Sequence, residues 1–118
     1  GKKPSEATEP ERFYHGFVLG LIVDLEDRYQ ITSNRESGFG RYDVVVEPKE
    51  KADLAIIMEF KIQDQDEKDL SQTVEAALSQ IEMKNYASGL IGKGIQPERI
   101  RKYGFAFRGK EILIGEGK

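Results

Sequence analysis

The stretch "RYDVVVEPKEKADLAIIMEFKI", residues 41–62, restricts the fold more than any other. Two runs rich in Val, Ile, Met and Phe flank a Pro48–Asp53 segment with turn chemistry, which reads as two strands joined in an antiparallel hairpin. A pairing centred on Lys51 sets Asp43 opposite Glu59 and Val45 opposite Ile57. Side chains alternate along a strand, so Asp43, Glu59 and Lys61 share one face and Val44, Val46, Met58 and Phe60 share the other. Charges inside apolar strands are costly to bury unless they are paired or bind a cation. Two carboxylates and one ammonium therefore converge on a small patch that needs a physical account.

Around the hairpin the periods change. "PERFYHGFVLGLIVDLED" repeats apolar residues at helical spacing through Phe13, Phe17, Leu21 and Leu25, flanked by Tyr14, Val18 and Ile22. Ser5 or Thr8 is expected to cap this helix, with Pro10 in its first turn. "RYQITS" reads as a strand and "NRESGFG" as a loop in which Gly38 and Gly40 permit turning. A second helix is expected from Leu70 to about Tyr86, then a glycine-containing connection, then strands at "YGFAF" and "EILIG". The order is helix, three strands, helix and two strands, an α/β sandwich. The polar opening with two prolines reads as a linker over residues 1–10, so residues 11–118 are expected to be one domain cut from a longer chain.

Bulk properties narrow the function. The 118 residues contain no cysteine, which excludes disulfides and Cys-based zinc sites and fits a cytoplasmic location. No apolar run approaches the length of a membrane span. The net charge is −3, which argues against strong autonomous binding of nucleic acid. Charge is uneven, however: six basic residues against Glu98 between Lys93 and Lys110 leave a local excess of five, while "QDQDEKD" reads as a solvated acidic run.

Two close carboxylates repel and raise each other's pKa, and a divalent cation removes the repulsion. Mg²⁺ takes one or two carboxylates plus water and substrate phosphate. A lysine beside such a site can orient water or meet a phosphoryl oxygen. The alternative is an ion pair on an exposed sheet, with Asp43 paired to Arg41 or Arg35. The residues alone leave both open.

Asp43 followed by Glu59-Phe60-Lys61 resembles the D…(D/E)-x-K signature of the PD-(D/E)xK nuclease superfamily. The blocks "FYHGFVLGL", "SNRESGFGRYDVVVEP", "IIMEFKI", "EAALSQIEMKNY" and "YGFAFRGKEI" resemble a bacterial branch found at the C-terminus of AAA-ATPase-like proteins. The resemblance implies a restriction-endonuclease-like core of helix, three-strand meander, helix and strand, here with a further C-terminal strand. It implies Mg²⁺ or Mn²⁺ on Asp43, Glu59 and the Phe60 carbonyl, with Lys61 positioning the attacking water. Glu11 and Gln80 map to assisting positions on the two helices. His15 lies one turn beyond Glu11, and Lys84 lies on the face of Gln80, where it otherwise reads as solvated. Tyr86, six residues after Gln80, is expected to point elsewhere. Tyr42 stands where the signature has proline.

Arg35, Arg41, Arg101 and Lys102 are the candidates for the nucleic-acid backbone, with DNA expected over RNA. The implied partners are an N-terminal ATPase-like domain and a second copy of the chain. A non-catalytic module for binding, regulation or oligomerisation is the competing function. A small-molecule-binding domain is disfavoured by the lack of a Gly-rich phosphate loop.

Overall fold

The computed structural model describes residues 9–36 and 40–118. Helix α1 (Glu9–Arg28) leads into strands β1 (Gln30–Glu36), β2 (Arg41–Glu47) and β3 (Ala55–Ile62). Helices α2 (Leu70–Lys84) and α3 (Tyr86–Gly92) and a 3₁₀ turn at Pro97–Arg99 precede strands β4 (Ile100–Arg108) and β5 (Glu111–Glu116). One five-stranded sheet has spatial order β1-β2-β3-β4-β5, with β3 and β4 parallel and the other pairs antiparallel. A parallel pair needs a long crossover, which α2 and α3 supply. The result is a restriction-endonuclease-like α/β core.

The hairpin has the expected register, with Asp43 opposite Glu59 and Val45 opposite Ile57. Its two faces bury different layers. Tyr14, Val18 and Ile22 of α1 pack on Tyr42, Val44, Val46, Met58, Phe60 and Phe107. On the other face Ile81 and Leu90 join Val45, Ala55 and Ile57, while Leu70 and Val74 meet Ala106. Helix α2 crosses β4 so closely that a Cβ at Gly104 would sit 2.9 Å from the Val74 carbonyl oxygen.

Several boundaries differ from the sequence reading: α3 occupies part of the expected connection and β4 begins at Ile100, ahead of "YGFAF". Asn34, Arg35 and Glu36 continue β1, where a loop was expected, because they pair with Asp43, Tyr42 and Arg41. Glu9 and Pro10, assigned to the linker, form the first turn of α1. Helix α2 stops at Lys84, because Asn85 adopts a left-handed conformation (φ 54) and its N–H closes back on Ile81 and Glu82. The expected caps at Ser5 and Thr8 and the turn at Gly38 lie outside the described residues. Gly40 has φ +65, a conformation that glycine adopts without strain.

Candidate active site

Asp43 and Glu59 face each other at the centre of the sheet, 2% and 0% exposed. Both carboxylates are therefore withdrawn from bulk water. They share one cation, but it is not Lys61. The Lys84 ammonium lies 2.8 Å from Asp43 Oδ2 and 3.1 Å from Glu59 Oε1, with Glu36 Oε2 at 3.6 Å. Asn34 Nδ2 donates to Asp43 Oδ1 at 3.0 Å. Among the described residues Glu59 Oε2 is buried without a hydrogen-bond partner.

Electrostatics follow from this burial. Desolvation raises the Glu59 pKa to about 7, against the opposing pull of its hydrogen bond and attraction to Lys84, and the charge on Asp43 adds to the rise. Burial disfavours the charge on Lys84, but hydrogen bonds to Asp43 and Glu59 outweigh it and hold its pKa above the ordinary lysine value.

Lys61 shares the face of Asp43 and Glu59, as the alternation requires, and is buried. Its ammonium turns the other way, to Asp64 Oδ2 at 2.8 Å and Glu67 Oε1 at 2.9 Å. The acidic run read as solvated therefore has a structural part: Glu67 also accepts from the Thr73 hydroxyl at 3.0 Å and from the Asp64 backbone N–H at 2.8 Å. Burial works against its charge, but these bonds and Lys61 win and lower its pKa.

The other candidates divide. Tyr86 was expected to point away, yet the break at Asn85 restarts the helix and redirects it. Burial, then a hydrogen bond and repulsion from Asp43, raise the Tyr86 pKa to about 12. Lys84 was read as solvated and instead pairs with the carboxylates. Gln80 does not reach them; its Nε2 lies 3.8 Å from Met83 Sδ. The Phe60 carbonyl accepts from the Tyr14 hydroxyl at 2.9 Å, which occupies one of its two acceptor positions.

Glu11, His15, Arg35 and Glu36 line a polar cleft beside Gly40 and Asp64. His15 Nδ1 is 2.8 Å from the Tyr42 hydroxyl, and the Arg35 guanidinium lies over the Tyr42 ring at 5.5 Å. Burial and then Arg35 lower the His15 pKa. Arg41 Nε bonds Glu36 Oε2 at 3.1 Å.

The basic stretch does not form a single patch. Arg101 and Lys102 are consecutive in β4 and so point to opposite faces. Lys102 pairs with Glu82 at 2.6 Å, Arg101 with Glu116 at 3.9 Å, and Arg108 with Glu111 at 3.1 Å.

A family model of the PD-(D/E)XK nuclease superfamily matches residues 9–117. The chain belongs to the PD-(D/E)XK nuclease superfamily. No curated protein matches it. Asp43 and Glu59 are the residues that the hairpin brings together. Nucleases of this superfamily generally use divalent metals. Among the described residues no three His, Cys, Asp or Glu side chains gather tightly enough to enclose an ion on their own. The donor set nevertheless fits a hard cation: two opposed carboxylates already share a positive charge, and one buried carboxylate oxygen lacks a donor. Three partners were not legible as site residues: Asn34, Glu67 and Tyr86. Asn34 falls opposite Asp43 once β1 is paired, and Glu67 and Tyr86 depend on loop and helix-end geometry.

Proposed function

We propose that this domain hydrolyses phosphodiester bonds of nucleic acid with Mg²⁺ or Mn²⁺, DNA over RNA, as part of a larger ATPase-containing protein. The observation that carries the reading is the Asp43–Glu59 pair, opposed in register, buried, and sharing one cation while Glu59 Oε2 has no partner. Asp43 and Glu59 would hold the ion, with the Phe60 carbonyl as a third oxygen. When bound, the ion supplies charge neutralisation for the phosphate and a lower pKa for water. The chain's own residues do the rest. Asn34 fixes the Asp43 carboxylate from β1. Apolar neighbours exclude water from Glu59, which strengthens every charge interaction there. Lys61 is two residues from Glu59 in β3, and to meet a phosphoryl oxygen or orient water its ammonium must exchange Asp64 or Glu67. Arg35 and Arg41, at the mouth beside Glu36, would meet flanking phosphates.

One observation favours the non-catalytic module: both lysines near the site are already neutralised by acids of the fold. Cleavage of single- and double-stranded DNA and RNA, with Mn²⁺ and with chelator, separates the two readings. Mn²⁺-dependent cleavage lost in D43N and E59Q supports the nuclease. Absence of cleavage by this domain and by the longer protein, with Mn²⁺ bound at Asp43 and Glu59, refutes it.

A further inference from the structure

The carboxylate pair already has a cation, and that cation is built into the fold. Lys84 ends α2, where the helix dipole favours a positive charge, and the left-handed Asn85 fixes the point at which the helix stops. Its ammonium offers three protons, and three carboxylates stand around it: Asp43 at 2.8 Å, Glu59 at 3.1 Å and Glu36 at 3.6 Å. That arrangement satisfies the lysine but not the acids. Glu59 is fully buried, and its Oε2 has no hydrogen-bond partner. Lys61 cannot supply the missing charge while Asp64 and Glu67 hold it.

We propose that Lys84 is the resident counter-cation of the Asp43–Glu59 pair: it holds their shared position until a divalent ion enters, and the two cations exclude each other. This rests on the reading of Asp43 and Glu59 as metal ligands. The physical reason is direct. An ammonium and a divalent ion cannot both approach the same two buried oxygens, because their repulsion at a few ångströms in a poorly screened interior is large. Lys84 has a route out, since its side chain is 24% exposed and ends a flexible four-carbon stem. Its ion pairs are then subtracted from whatever the entering ion gains. Metal affinity in the wild type is lower than the carboxylates alone would give, and the metal-free protein is held together without an ion.

Calorimetry with Mn²⁺ on the wild type and K84M tests this. The expected result is binding roughly tenfold or more tighter in K84M, because no competitor has to be displaced. K84M should also melt lower than the wild type in chelator, and the deficit should close at saturating Mn²⁺. A second measurement needs no variant. In ¹H–¹⁵N spectra of the lysine ammonium groups, the Lys84 signal should be protected in chelator and lost or shifted to a solvent-like position on saturation with Mg²⁺. The Lys61 signal should stay in place as the internal control. Equal or weaker Mn²⁺ binding by K84M overturns the proposal alone, as does a Lys84 signal that is unmoved when Mg²⁺ binds. No binding of either ion to either protein overturns the metal reading and this proposal together.

Discussion

Replacing Glu59 by Gln should make the protein relatively more stable at pH 8 than at pH 5, by an amount set by the burial of one carboxylate. In the wild type the Glu59 pKa rises from 4.5 to about 7, chiefly through desolvation. That rise is worth about 3 kcal/mol. A folded-state pKa above the unfolded value means that the native protein holds a proton which the unfolded chain releases. The contribution is favourable below about pH 4.5, declines as pH rises to about 7, and is flat above. His15 works in the opposite sense in part of this window. Its pKa is lowered, so its contribution is present above the unfolded value and lost as pH falls through the folded one. The difference between E59Q and the wild type cancels that term and isolates Glu59. Urea denaturation in chelator at pH 5, 6, 7 and 8 is the assay. The stability difference should move by about 2.5 kcal/mol in favour of E59Q between pH 5 and pH 8, because part of the effect already lies below pH 5. A difference that is the same at both ends would refute the argument that Glu59 is a desolvated carboxylate.

Lys61→Met should destabilise the metal-free fold by about 3 kcal/mol, because it strands Glu67 without its buried cation; unchanged urea midpoints would show that the pair is incidental. Gly104→Val should cost about 3 kcal/mol or more, since the new Cβ meets the Val74 carbonyl at 2.9 Å; a melting temperature equal to the wild type would show that α2 can move away.

Strand alternation and turn chemistry sufficed to place Asp43, Glu59 and Lys61 on one face, because a hairpin register is a local property and a slip would expose the apolar set. They did not suffice to say which ammonium meets which acid. A lysine stem spans several ångströms, so sharing a face with Glu59 leaves Lys61 free to choose between Asp43 and Glu67. The choice depends on how "QDQDEKD" folds back, and that is a tertiary fact. Tyr86 was misplaced for a similar reason. Residue spacing predicts direction only while the helix continues, and one left-handed residue at Asn85 breaks the count. The basic run from Lys93 to Lys110 looked like a surface because adjacent charges were summed without regard to strand faces. Alternation and acidic partners from other elements divide it.

The same charges bear on the order in which ligands meet the site. Lys61, Lys84 and Arg41 face Glu36, Asp43, Glu59, Asp64 and Glu67 in two clusters. Once Glu59 is ionised, three cations against five acids leave two negative charges where a polyanionic substrate would have to lie. Without a divalent ion the site should repel a nucleic-acid backbone, and an ion carrying two positive charges would reduce that excess even as it displaces Lys84. Metal should therefore precede substrate. D43N/E59Q removes the two negative charges without adding metal, so it should bind a DNA duplex in chelator roughly tenfold more tightly than the wild type at low salt, with the gain shrinking as salt screens it. Fluorescence anisotropy across a salt series reads both effects. Equal affinity of the two proteins at low salt would mean that the backbone does not approach the carboxylate pair, and the nuclease reading would lose its substrate path.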